Sequence, residues 1–213
     1  MEILQLSNKN TGDCIARARE VLRAGGVVLY PTDTLYGLGV DALSNEAVAK
    51  LYEIKGREEG KPIHAIVADI EMAERYGEVG DVARKLAREL PRGKLTLIVP
   101  KKISFDSGIC RDISTFGFRI PDNIFCMALS RVFDGPITAT SANRSGEKPE
   151  RTVEKILKQL GGSASGIDLV VDAGELPPRE PSTVVDITNV SPLIVREGGI
   201  SAPEVWNVVR DES

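Results

Sequence analysis

Residues 27–42 read Val27-Val28-Leu29-Tyr30-Pro31-Thr32-Asp33-Thr34-Leu35-Tyr36-Gly37-Leu38-Gly39-Val40-Asp41-Ala42. The opening four form a short, continuous apolar run, the pattern of a strand buried on both faces. A helix pattern precedes them. Asn10 or Thr11 can cap it, Ile15, Ala18, Val21 and Leu22 supply its apolar stripe, and Gly25-Gly26 stops it. Thr32, Asp33 and Thr34 then place two hydroxyls and a carboxylate between the strand and a Gly-rich turn. As plain chemistry this is a capped turn, because Asp and Thr side chains bond nearby backbone readily. As a site it is a polar loop whose hydroxyls meet a small polar substrate.

Outward from this stretch, helices and strands alternate. A helix is expected at about 46–54 and a strand at 63–68. Asp81 caps a helix with Val82, Leu86 and Leu90 on one side. Strands follow at 95–99 and 117–120, a helix at about 124–132 and a strand at 137–140. Thr152 starts a helix that ends at Gly161-Gly162. The remainder is strand-rich (169–171, 183–187, 193–195) and closes with a short helix from Pro203. Not every strand pair is separated by a helix. The expected fold class is therefore α/β, one domain over residues 1–213, with an open twisted mixed sheet and flanking helices. In such sheets, sites form where loops converge at strand ends.

Composition narrows the function. The 213 residues are 42% hydrophobic and 27% charged, with a net charge of −4, ordinary for a globular protein. No apolar run approaches the length of a membrane helix, and no secretory leader pattern opens the chain. Cys14, Cys110 and Cys126 are odd in number and far apart, which fits neither a disulfide framework nor a zinc motif. The expected setting is cytosolic. A protein that grips long nucleic acid through phosphates usually carries excess positive charge. Here any basic site must be local, and a small polyanion is its natural ligand.

Several motif matches are decoys. Gly37-Leu38-Gly39-Val40-Asp41-Ala42 fits G-x-G-x-x-A but does not leave a strand and open a helix at once. Gly56 to Pro62 is one residue short of a P-loop and ends in Lys-Pro. Ser145 to Lys148 fits S-x-x-K without companion signatures.

Other constellations carry more chemistry. Lys55-Gly56-Arg57, with Lys61 four residues beyond Arg57, could clamp a polyphosphate; Glu58-Glu59 partly neutralises it, as on a solvated face. Ser141-Ala142-Asn143-Arg144-Ser145-Gly146 follows a strand and could form a nest of donors or a simple turn. Pro181-Ser182-Thr183 and Arg196-Glu197-Gly198-Gly199 are further polar blocks. Arg119 sits inside the apolar strand Phe118-Arg119-Ile120 and needs a partner, either a substrate carboxylate or a structural Asp or Glu. His64, the one histidine, lies in an apolar strand and reads as a core or edge residue rather than a base.

Taken together these segments resemble the YrdC family, from about residue 10 to 200. The blocks are YPTDTLYGLGVDA, Lys55-Gly56-Arg57 paired with Ser141-Ala142-Asn143 (the family's K-x-R and S-x-N), GFRIP, SANRSG, PSTVVD and REGG, in the family's order. The resemblance implies a twisted α/β domain with a concave, locally basic cavity. It also implies a nucleotidyltransferase reaction: L-threonine, bicarbonate and ATP give threonylcarbamoyl-adenylate and pyrophosphate, with Mg2+ accompanying the triphosphate. A downstream transferase would move the threonylcarbamoyl group to a tRNA adenosine; in archaea and eukaryotes it belongs to the KEOPS complex. On this basis Lys55, Arg57, Lys61, Ser141, Asn143 and Arg196 are assigned to ATP, with Thr115 as a further nucleotide contact. Lys55, Arg57, Ser141 and Asn143 are the catalytic set. Arg119 holds the threonine carboxylate, and Thr32, Thr34 and Ser182 line the threonine pocket. No protein-made metal site is expected.

The chain also departs from the family. The usual P-G-P becomes Arg92-Gly93-Lys94, Asp122 follows Pro121 where a histidine is common, and no C-terminal extension domain is expected. Residues 146–149 are the expected closing loop. Rival expectations are a double-stranded RNA-binding module and a carbamoyl-adenylate-forming enzyme of the same fold. The latter domain sits beside zinc-finger and acylphosphatase modules that this sequence lacks.

Overall fold

The computed structural model of the chain describes residues 1–58 and 60–210. Glu59, half of the acidic pair expected to offset Lys55 and Arg57, lies outside the described residues. The first half runs β1 (Glu2–Gln5), α1 (Thr11–Arg23), β2 (Val28–Pro31), β3 (Tyr36–Gly39), α2 (Asn45–Lys55), β4 (Ala65–Ile66), α3 (Ile70–Glu74), α4 (Asp81–Glu89) and β5 (Leu95–Pro100). The second runs β6 (Thr115–Arg119), α5 (Ile124–Phe133), β7 (Ile137–Thr138), β8 (Thr140–Ser141), α6 (Val153–Leu160), β9 (Leu169–Asp172), β10 (Thr183–Asp186), β11 (Leu193–Arg196) and α7 (Ala202–Arg210).

The mixed α/β architecture is the expected one, but the strands divide between two sheets. One is ordered β1-β9-β2-β3-β8 and the other β11-β10-β5-β6-β4-β7. Residues 137–141 join them: β7 pairs antiparallel with β4 in the second sheet, and β8 pairs antiparallel with β3 in the first. Between the two strands, the Ala139 amide donates to the His64 carbonyl at 2.7 Å.

The Gly-rich stretch expected to turn is itself a strand. β3 folds back antiparallel on β2, with Val28 opposite Gly39 and Pro31 opposite Tyr36. Thr32 closes this hairpin: its hydroxyl donates to the Leu35 carbonyl at 2.6 Å and accepts from the amides of Thr34 and Leu35. Gly39 packs against the Tyr30 ring so closely that a Cβ would overlap it. Glycine is needed there for close approach, not for a phosphate turn.

Packing follows the local periodicities. α1 buries Cys14, Ile15, Ala18, Val21 and Leu22 against a cluster that includes Val28, Tyr30, Phe125, Leu129 and Phe133. Burial of each large apolar side chain contributes about 1.5–3 kcal/mol. Asn10 stands at the N-cap of α1, but its side chain turns back to accept from the Ser7 amide at 2.8 Å. In α4 the cap is Gly80, and the helix buries Ala83 and Leu86 while Val82 is exposed. The buried stripe is thus 83, 86 and 90, one turn-phase away from the expected 82, 86 and 90. A larger cluster draws on both sheets and on α2, α4 and α6, and includes Leu29, Leu38, Leu51, Leu86, Leu97, Phe118 and Ile156. All three cysteines are free and buried. Among the described residues no helix is long and apolar enough to cross a membrane.

Candidate functional site

Residues of both sheets line a cavity of about 620 Å3, within the range of small-molecule sites. Thr32, Thr34, Tyr36 and Gly37 come from the β2–β3 hairpin, and Ala139, Thr140 and Ser141 from the segment joining the sheets. Thr96, Arg119, Ser182 and Arg196 come from the second sheet and its margins. Arg57, Arg151 and Arg179 complete a set of five arginines, and among the described residues no carboxylate lines the cavity. The acidic chain therefore concentrates positive charge where it is concave, as a small polyanion requires.

Lys55 and Arg57 have different roles. Lys55 is the last residue of α2, on the buried stripe with Val48 and Leu51. It is 2% exposed. Its ammonium donates to the Ser141 carbonyl, to the Asn143 carbonyl at 2.9 Å and to Asn143 Oδ1 at 3.3 Å. Three donors are spent on three acceptors of the protein, so Lys55 holds the 141–143 loop and does not face the cavity. Burial, and then the neighbouring Arg57, lower its pKa to about 8. Gly56, at φ 55, ends the helix in the left-handed conformation. The chain then swings out and brings Arg57 to the cavity, where Nη2 donates to the Pro62 carbonyl at 3.1 Å and the buried Nε has no partner among the described residues.

Ser141 lines the cavity, while Asn143 supports it from behind. Asn143 Oδ1 accepts from the Ser141 hydroxyl, and Nδ2 donates to the Glu147 carbonyl at 2.7 Å. The Ser145 amide returns to the Lys55 carbonyl at 2.8 Å. The K-x-R and S-x-N pair is thus one unit, with Arg57 and Ser141 presented and Lys55 and Asn143 supporting.

On the opposite wall, Ser182 Oγ and Thr96 Oγ1 are 2.8 Å apart. Arg196 donates through Nε and Nη2 to the Ser182 carbonyl at 3.2 and 2.8 Å. Arg119 finds its partner within the protein: Nη1 lies 3.0 Å from Asp33 Oδ2, with side chains 8% and 3% exposed. Thr34 Oγ1 is 3.1 Å from Thr32 Oγ1 and 3.3 Å from Arg119 Nη1.

Besides Lys55 and Asn143, two further expected nucleotide contacts, Lys61 and Thr115, are not brought to the cavity. Lys61 forms an exposed ion pair with Glu58 at 2.9 Å, because the turn after Gly56 directs it to solvent. Thr115 opens β6 opposite Pro100, at the far end of the strand from Arg119. Conversely, sequence reasoning missed Arg151, Arg179 and Thr96, and read His64 as a core or edge residue. Arg179 lies in Pro177-Pro178-Arg179-Glu180-Pro181, a stiff segment that could have been noticed; Arg151 carried no local signal. His64 also lines the cavity. Its burial and the charges of Arg196, Arg119 and Arg57 lower its pKa to about 4, so the imidazole is neutral near pH 7. Of the expected closing loop, Pro149 reaches the cavity, and Pro178 and Pro181 border it as well.

A mixed α/β fold with an arginine-lined cavity between two sheets has the charge and shape to hold a compact anion. A family model for Sua5, YciO and YrdC, described by the phrase telomere recombination, matches residues 20–198. A Methanocaldococcus jannaschii relative is 34% identical over 94% of this chain and 93% of its own length. The threonylcarbamoyl-AMP synthase of Bacillus subtilis is 36% identical over 92% of this chain and 56% of its own. The solved structure of P. abyssi Sua5 complexed with L-threonine superimposes with a TM-score of 0.86 at 30% identity, covering 98% of this chain and 60% of that one. The chain thus spans nearly all of the first relative and little more than half of the other two. It belongs to the Sua5/YciO/YrdC family.

Proposed function

We propose that this chain is a threonylcarbamoyl-AMP synthase. The carrying observation is the convergence of Arg57, Arg119, Arg151, Arg179 and Arg196 with the hydroxyls of Thr32, Thr34, Ser141 and Ser182 on one cavity that, among the described residues, no carboxylate lines. The relatives are named for the product, threonylcarbamoyl-AMP, which L-threonine, bicarbonate and ATP would supply. The threonine amine and bicarbonate form N-carboxy-threonine with loss of water. A carbamate oxygen then attacks the α-phosphorus of ATP, and pyrophosphate leaves with the electron pair of the broken P–O bond. Such chemistry needs positioning and stabilisation of growing negative charge more than a nucleophilic side chain.

Arg57 and Arg196 would hold the phosphates, and the Ser141 hydroxyl would join them by turning from Asn143 Oδ1 to the nucleotide. Lys55 and Asn143 would act by fixing the loop that carries Ser141. Arg119, Thr32, Thr34 and Ser182 would hold threonine. Among the described residues no group of three or more His, Cys, Asp or Glu side chains could hold a metal. Magnesium would accompany the triphosphate. We assign the reaction to the cytosol, with a separate transferase consuming the adenylate. The test is pyrophosphate release from ATP and magnesium: a requirement for both L-threonine and bicarbonate supports the reading, and ATP turnover indifferent to either overturns it.

A further inference from the structure

We propose that Asp33 is a positioning residue that sets the orientation of Arg119, holding one edge of its guanidinium in the cavity wall and presenting the other to a substrate carboxylate; this rests on the reading of the cavity as a threonine site. Asp33 is absent from the cavity lining, whereas its neighbours Thr32 and Thr34 and its partner Arg119 are all part of it. Its influence must therefore pass through Arg119.

The bonding of Arg119 is one-sided. Nη1 meets Asp33 Oδ2 at 3.0 Å, the Gly93 carbonyl at 3.0 Å and Thr34 Oγ1 at 3.3 Å. Two N–H groups serve three acceptors, so Nη1 has nothing left for a ligand. None of these bonds uses Nη2 or Nε. Because the guanidinium is planar, anchoring one corner from three directions fixes its plane.

The ion pair is also incomplete. Asp33 Oδ1 is buried without a hydrogen-bond partner among the described residues. A two-pronged arginine–carboxylate pair would satisfy it and is the stronger arrangement, but it would consume a second guanidinium nitrogen. An unsatisfied buried oxygen is costly and calls for an explanation. Keeping the second edge of Arg119 available is one that the geometry supplies.

Gly93 completes the clamp. It sits at φ 76, and a Cβ there would overlap Asp33 Oδ2. Its carbonyl is the second anchor of Nη1, and its amide donates to the Ile120 carbonyl at 2.9 Å. One glycine thus leaves room for the carboxylate, offers the acceptor and ties the loop to the residue following Arg119. Burial raises the Asp33 pKa, and the Arg119 charge opposes the rise.

The experiment is steady-state pyrophosphate release by Asp33→Asn, titrating L-threonine at saturating ATP and bicarbonate, then ATP at saturating threonine, with L-threonine binding measured by calorimetry. The expected result is a threonine KM raised about tenfold or more, the scale of a weakened charged hydrogen bond, with a matching loss of threonine affinity and a nearly unchanged ATP KM. Equal increases in both KM values, a fall in kcat alone, or unchanged threonine affinity would overturn the proposal. Arg119→Lys keeps a cation beside Asp33 but has no second edge, and is expected to reproduce the threonine defect. If Asp33→Asn does not fold, this variant decides, and normal threonine affinity in it overturns the proposal. Wild-type protein that binds L-threonine but releases no pyrophosphate would overturn the reaction, while the binding comparison still judges Asp33. Wild-type protein that binds no L-threonine overturns both.

Discussion

The ammonium of Lys55 lies 2.9 Å from the Asn143 carbonyl and 3.3 Å from Asn143 Oδ1, joining the end of α2 to a loop 88 positions away. A cation that looks from its neighbours like a phosphate clamp is a buried strut. Replacing it by Lys55→Met leaves the buried Asn143 carbonyl without its donor and removes the ammonium's bonds to the Ser141 carbonyl and Asn143 Oδ1, which keep the Asn143 amide and the Ser141 hydroxyl. The expected outcome is a loss of about 1–3 kcal/mol in stability and a raised ATP KM, because Ser141 is no longer held. Denaturant titration and ATP titration of the same preparation check both halves. An unchanged unfolding midpoint would contradict the strut.

Arg57 faces the cavity, and Lys61 does not. Arg57→Ala is expected to raise the ATP KM about tenfold or more, the value of a lost charge-assisted bond to phosphate. Lys61→Ala and Thr115→Ala should leave it nearly unchanged, since an exposed ion pair contributes little. Pyrophosphate release at varied ATP separates the three variants. A Lys61 defect as large as that of Arg57 would mean that the loop after Gly56 turns inward when nucleotide binds.

Tyr30 ties the hairpin to the segment joining the sheets: its hydroxyl donates to the Thr138 carbonyl at 2.9 Å, fully buried. Tyr30→Phe removes the donor and keeps the ring. Stability should fall by about 1–3 kcal/mol, with kcat per folded molecule little changed. Thermal melting alongside turnover measures the two effects.

His64 gives the fold a pH dependence. Its pKa is about 4 in the folded chain, against 6.5 for the free side chain. Between those values the unfolded chain binds a proton that the folded chain does not, so acidification through this window favours unfolding. The contribution of His64 is fully present above about pH 6.5 and lost as pH falls towards 4. His64→Gln should flatten the decline in the urea midpoint between pH 6.5 and 4. A decline as steep as that of the wild type would assign it to carboxylates instead.

The sequence alone determined the kinds of element and much of the site's chemistry. The apolar run at 27–30, the stripe of α1 and the glycines that stop helices are local signals, set by side-chain period and backbone freedom within a few residues. So were the ordered blocks carrying Thr32, Thr34, Arg57, Ser141, Ser182 and Arg196. One further signal was available: Lys55 follows Val48 and Leu51 at helical spacing, which places it on the buried face. Tertiary structure decided the rest. Only strand pairing could show that Tyr36 to Gly39 is a strand, that residues 137–141 join two sheets, and that Arg151 and Arg179 reach the same cavity. Only packing could give Arg119 its partner Asp33, 86 positions away in the chain. The physical reason is the same in each case. Periodicity tells a residue which face it occupies, but the partner across a sheet or a buried charge is chosen by contacts between distant segments, and those exist only once the whole chain has folded.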